Sequence, residues 1–184
     1  MSATGNFIVD DIGAVVTLMK GPIFTIEFDD TFTGYDVPYY KYGHRKEIAK
    51  RLDEMNRSDE DKNKKYPLIA LRLDTVEEIS NGIWHFNLNI AIVNFTDRNY
   101  NSEQRYDQVY KPVLYPLYLR FIEALRQSGL FFWDAESPIP PHKKVDRLFW
   151  GTGTIEGNDK QIFSDPLDAI EILDLKLNQE LKTC

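Results

Sequence analysis

Cysteine is almost absent from this chain of 184 residues: its one thiol is Cys184, the last residue. With no partner, that thiol excludes an intrachain disulfide framework, and a reducing compartment is the expectation. Positive charge is also short, with 22 lysines and arginines against 29 aspartates and glutamates and a formal net charge of −7. Binding a nucleic-acid backbone depends on neutralising phosphates, so this balance argues against a dedicated DNA- or RNA-binding domain. No apolar run approaches the roughly 18 residues that mark a membrane-spanning helix. Met1 to Asn6 carry neither the basic stretch nor the apolar segment of an export signal. No membrane anchor and no secretion are expected, so the glycosylation-like triplets at Asn56 and Asn94 are read as chance.

Chemistry-bearing motifs are equally sparse. His44, His85 and His142 are scattered, with no His-x3-His or Cys-x2-Cys spacing that would bring ligands onto a metal ion. No Gly-x-Ser-x-Gly elbow occurs, and the glycines at Gly151, Gly153 and Gly157 lack the Lys-Ser or Lys-Thr pair and helix start of a phosphate loop. The expectation is a protein without metal, cofactor or catalytic centre.

What is present is a folding sequence. Hydrophobic residues make up 42% and charged residues 28%, the balance of a globular domain, and no repeat or linker divides the chain. One domain, 1–184, is expected, with a regular core over 66–177 and projecting loops over 29–65 and 130–143. Phe7, Ile8, Ile12, Val15, Val16 and Met19 recur at helical spacing, so Phe7 to Lys20 reads as a short amphipathic helix. Phe24, Ile26 and Phe28 alternate as a strand. Arg45 to Asn56 reads as a polar helix with a narrow stripe of Ile48, Leu52 and Met55, and the charged run Arg57 to Lys65 as a mobile surface loop.

Leu68 to Leu73 is short and apolar except for Arg72, which suits a strand covered on both faces. Trp84, Phe86, Leu88, Ile90 and Ile92 alternate with His85, Asn87 and Asn89 in a second strand beyond a turn at Asn81 and Gly82. The connection between them is too short for a helical crossover, so they should pair antiparallel. Asn101 and Gln104 form a capping box for a helix carrying Tyr106, Val109 and Tyr110. Pro112 and Pro116 should break or kink it between Lys111 and Pro116, before Leu117, Tyr118, Phe121, Ile122 and Leu125 continue to Gly129. Val145 to Trp150 reads as a strand, and 151–157 as a hairpin turn. In Ala169 to Leu177 the apolar set changes phase between Ile172 and Leu173, which predicts a bulge or burial of both faces. The fold class is α+β, a mainly antiparallel sheet under a long proline-interrupted helix.

Two groups of residues could carry function. Asp165, Asp168, Asp174 and Lys176 resemble the acidic set and lysine with which metal-dependent nucleases hold Mg²⁺ and orient a water, and alternating charge on a solvated strand gives the same pattern. The other group is aromatic. Tyr35, Tyr39, Tyr40, Tyr42, Phe131, Phe132 and Trp133 stand beside prolines and charges and exceed what a small core needs, so they are the candidate residues for subunit or partner contacts.

Several segments together carry a resemblance: Pro67 to Leu73, Trp84 to Asn94, Glu103-Gln104-Arg105-Tyr106, Tyr110-Lys111-Pro112-Val113-Leu114-Tyr115-Pro116-Leu117-Tyr118, Lys144 to Gly151, and Asp168 to Ile172. Over about Tyr66 to Leu177 the chain resembles small neck proteins of tailed bacteriophages and prophages of Bacteroides-type hosts, of the head-to-tail connector, ring or tail-terminator kind. The resemblance implies a non-enzymatic virion subunit, assembled in the host cytoplasm. It implies a sixfold or twelvefold homo-oligomeric ring between portal and tail, touching adjacent ring proteins and letting genomic DNA pass. The residues themselves also leave open a Mg²⁺-dependent nuclease or an intracellular protein-binding adaptor.

Overall fold

The computed structural model describes residues 7–20, 37–134, 136–155, 158–161 and 163–180. The strand expected around Phe24 to Phe28 and the candidate Tyr35 lie outside them. The fold is α+β, with a mixed five-stranded sheet in the order β1-β2-β3-β7-β4 and a separate β5-β6 hairpin. The strands are β1 (Tyr39–Gly43), β2 (Leu68–Ser80), β3 (Ile83–Phe95), β4 (Lys143–Arg147), β5 (Thr152–Ile155), β6 (Asn158–Gln161) and β7 (Leu167–Glu180). The first two strands run parallel, joined through helix α2 (Arg45–Asn56), while β2-β3, β3-β7 and β4-β7 are antiparallel.

One face of the sheet carries Ile69, Leu71, Phe86, Leu88, Ile90, Ile92, Ile170, Ile172, Leu175 and Leu177, and helix α1 (Ile8–Leu18) and the central helical run cover it. Ile8, Ile12, Val15 and Val16 are buried as their spacing predicts. Among the described residues the opposite face is covered at one end only, where Ile48, Ala49, Leu52 and Met55 of α2, with Trp150 and Phe163, pack on Leu68, Ala70, Ala91, Val93 and Ala169. Helix α2 starts where His44 caps it: the Lys46 N–H donates to His44 Nδ1 (3.3 Å) and the His44 N–H to Glu47 Oε2 (3.1 Å).

Three expectations need correction. The tyrosines at 39–42, placed in a projecting loop, are the parallel strand β1. The charged run after α2 folds into turns held by Lys62–Asp59 and Lys64–Glu60 pairs, and its last residue, Lys65, is buried against Asn56 and Asp165. Of the break or kink expected between Lys111 and Pro116, the break does not occur, and the helix changes type instead. Residues 102–128 stay helical through α3 (Ser102–Arg105), a π-helical stretch (Tyr106–Leu114) containing Pro112, and α4 (Tyr115–Ser128), with Pro116 in its first turn. A π turn bonds five residues back, so the hydrogen-bond ladder is already shifting register where the two prolines lack an N–H.

The capping box forms as read, Asn101 Oδ1 accepting from Gln104 N (2.9 Å) and Gln104 Oε1 from Asn101 N (3.0 Å). The run ends at Gly129 in the left-handed region, φ 61°. The phase slip in β7 is a bulge: Leu88 faces Leu175 and Ile90 faces Ile172, so Leu173 and Asp174 oppose Asn89 alone. Asp174 adopts φ 54°, and its N–H donates to Asn89 Oδ1 (3.3 Å). The extra residue returns Leu175 and Leu177 to the face of Ile170 and Ile172, which is why both sets are buried in one core.

Candidate subunit interface

Among the described residues the sheet is finished on neither side. β1 pairs with β2 only from Leu68 to Arg72, so residues 73–80 of β2 form, among the described residues, an edge with no further strand, about 26 Å long. Asn81 and Gly82, both at positive φ (52° and 77°), close the two-residue turn that sends β3 back, with Ser80 facing Ile83. Between Arg72 and Val76 the register slips, three residues of β2 opposing Leu88 alone, and the strand is re-aimed beyond that point. This arm leaves Leu73, Val76 and Ile79 exposed at 48%, 55% and 59%, where most large aliphatics of the chain are buried. Glu77 and Glu78 stand exposed between them, and residues 73–95 contain no lysine or arginine.

On the far side the sheet ends at β4, which pairs with β7 and, among the described residues, with no further strand. Three of its five residues are cationic: Lys143, Lys144 and Arg147. Each has a carboxylate of its own chain: Asp174 Oδ2 accepts from Lys143 Nζ (2.7 Å), Asp146 Oδ1 from Lys144 Nζ, and Glu171 Oε2 from Arg147 Nε (2.9 Å).

A tyrosine cluster braces this edge against the helical run. Asp146 Oδ2 accepts from the Tyr115 hydroxyl (2.7 Å) and the Tyr106 hydroxyl (3.1 Å), and the two hydroxyls bond each other. The Lys144 ammonium lies 4.5 Å from the centre of the Tyr115 ring, and the Tyr118 hydroxyl is 2.7 Å from His142 Nε2. Burial alone would raise the Asp146 carboxyl, but Lys144 and the two phenols outweigh it and hold the group below the ordinary carboxylate value. Burial, with Tyr106 and Asp146 as partners, raises the Tyr115 phenol, so it stays a neutral donor.

The other candidate aromatics divide between core and surface. Tyr39 is half-buried and accepts from Arg51 Nε (3.3 Å). Tyr40 packs on the main core and donates to the Val9 carbonyl (2.8 Å). Phe131 is buried edge-on against Phe86, and the half-buried Trp133 donates from Nε1 to the Ser137 carbonyl (3.0 Å). Tyr42 and Phe132 are exposed, the latter bridging Asn178 through its backbone. Sequence reasoning missed the arm at Leu73, Val76 and Ile79. Its signal was Asn81-Gly82, the two-residue hairpin pair, which requires paired strands right up to the turn.

The four residues of the nuclease reading are not assembled into one site. Asp165 binds Lys65 and accepts from the Tyr66 hydroxyl (2.9 Å), while Asp168 is sealed in an ion pair with Arg105 (2.7 Å). Asp174 pairs with Lys143, and Lys176 is exposed on β7. Among the described residues no three His, Cys, Asp or Glu side chains converge to hold a metal ion. The chain matches no family model, no curated protein and no solved structure. Among the described residues no helix is long and apolar enough to cross a membrane.

Proposed function

We propose that this chain is a structural subunit of the tailed-phage neck, a connector or tail-terminator-like ring protein between portal and tail whose activity is assembly with copies of itself. The observation that carries the reading is the β2 arm. Residues 73–80 expose both strand faces and one hydrogen-bonding edge, with three large aliphatics on them. An unpaired apolar edge is a hazard in a lone domain and an asset where a neighbour completes it. A heterologous contact repeated by rotation closes a ring, and a net charge of −7 would keep a DNA backbone moving through such a ring without adhering.

The reading requires no turnover, which is where it parts from a nuclease. Incubation of the full chain with DNA and Mg²⁺ should leave the DNA intact, and negative-stain micrographs of the concentrated chain should contain closed rings. Cleavage that disappears in Lys176→Ala would overturn the proposal in favour of the nuclease.

A further inference from the structure

Resting on that ring reading, we infer that the contact between successive subunits is made by sheet continuation: residues 76–80 of β2 in one copy pair with β4 of the next. The occupant of the open arm is thus a second copy of this chain, and three observations select it. First, the two open edges lie at opposite sides of one sheet, so joining them uses different surfaces on the two copies, as a closing ring requires. Second, the lengths match: the straight part of the arm beyond the register slip runs from Val76 to Ser80, and β4 has five residues.

Third, charges and faces agree. In a ring every copy turns the same sheet face inward, so like faces of neighbouring copies adjoin. Val76 and Glu78 share a face with Lys143, Val145 and Arg147, because Glu78 faces His85 while Val145 faces Glu171, which faces Ala91, and His85 and Ala91 lie on one side of β3. Pairing the two five-residue stretches end to end therefore sets Glu78 opposite Val145, flanked by Lys143 and Arg147. On the other face Glu77 and Ile79 meet Lys144 and Asp146, a carboxylate already bonded by Lys144, Tyr106 and Tyr115. The cations at that edge, with Arg45 reaching Glu171, number four against the three carboxylates Asp146, Glu171 and Asp174, so a surplus positive charge awaits the incoming glutamates.

Sedimentation of the full chain over a concentration series tests this. The wild type should form an oligomer, and Glu77→Lys/Glu78→Lys, which alters two exposed side chains, should shift its formation to concentrations on the order of tenfold higher or more while the melting temperature holds. In a Cys184→Ser background, Glu78→Cys chains should form disulfide-linked dimers when mixed with Val145→Cys chains, and neither variant should cross-link alone. Oligomers that survive the charge reversal, or Glu78→Cys chains that cross-link with themselves, overturn the edge contact and leave the ring reading standing. A wild type that stays monomeric throughout also overturns the contact, and the ring reading is then decided separately by locating the chain on phage particles.

Discussion

Arg105 and Asp168 show how one residue pair fixes the relation of helix to sheet. Both side chains are fully buried, and the guanidinium also donates to the Tyr100 and Asp97 carbonyls, with the Phe149 ring 3.8 Å from it. Asp168 also accepts from the Phe149 N–H (2.9 Å), which stabilises that residue at φ 54°. Removing one partner strands a buried charge, so Arg105→Met should destabilise the fold by about 3–5 kcal/mol in denaturant unfolding. The double variant Arg105→Met/Asp168→Leu should lose less than the two single losses combined, because no charge is left unpaired.

Asp146 supplies the acid response at the β4 edge. Its carboxyl sits below the ordinary value of 3.8 in the folded chain, so its contribution is complete above that pH and is lost as the pH falls through the lower folded value. Melting temperature against pH should fall more steeply below about pH 4 for the wild type than for Asp146→Asn. Parallel curves would show that the tyrosine-lysine lock contributes nothing.

Among the elements, the bulge in β7 and the turn at Gly151 are the positions where backbone geometry restricts the residue. Asp174 occupies the left-handed region, which a short polar side chain tolerates and a β-branched one does not, so Asp174→Val should cost about 1–2 kcal/mol. Gly151 lies at φ +82°, and a Cβ there would come within 2.2 Å of the Phe163 ring, which stacks on Trp150 at 4.8 Å. Gly151→Ala should destabilise by about 1–3 kcal/mol, read as a lower melting temperature with the β3-β7 pairing intact by hydrogen exchange.

The elements that were legible in the sequence share a cause. α1, α2 and the β2-β3 pairing each have one solvent-facing and one buried side somewhere along their length, and the β7 slip was visible because a strand face cannot change phase without an extra residue. Strand β1 was not legible, since Tyr-Tyr-Lys-Tyr-Gly has no alternation and its pairing with β2 depends on residues beyond α2. The outer half of β2 was missed for a related reason: Thr-Val-Glu-Glu-Ile breaks the two-residue period because neither face of the arm meets a core. In the sequence the aromatics therefore stand out as interface candidates, and the fold uses several of them internally, Tyr40 and Phe131 among them.

At the scale of the whole molecule, the sheet has, among the described residues, an edge without a further strand on each side. Ile79 is 59% exposed, so Ile79→Lys should leave the monomer's unfolding free energy within about 0.5 kcal/mol while weakening assembly. Equal assembly of that variant and the wild type in sedimentation would move the contact away from the arm. The tyrosine cluster braces β4 against the helical run, which would hold the proposed contact edge in place.

A neck subunit has one place in the assembled particle, the junction of head and tail. Electron micrographs of purified phage particles decorated with a gold-labelled antibody against this chain would decide whether it sits there. Label confined to the junction of head and tail is the predicted result, and particles free of label, with the chain recovered only in the unassembled fraction, would contradict it.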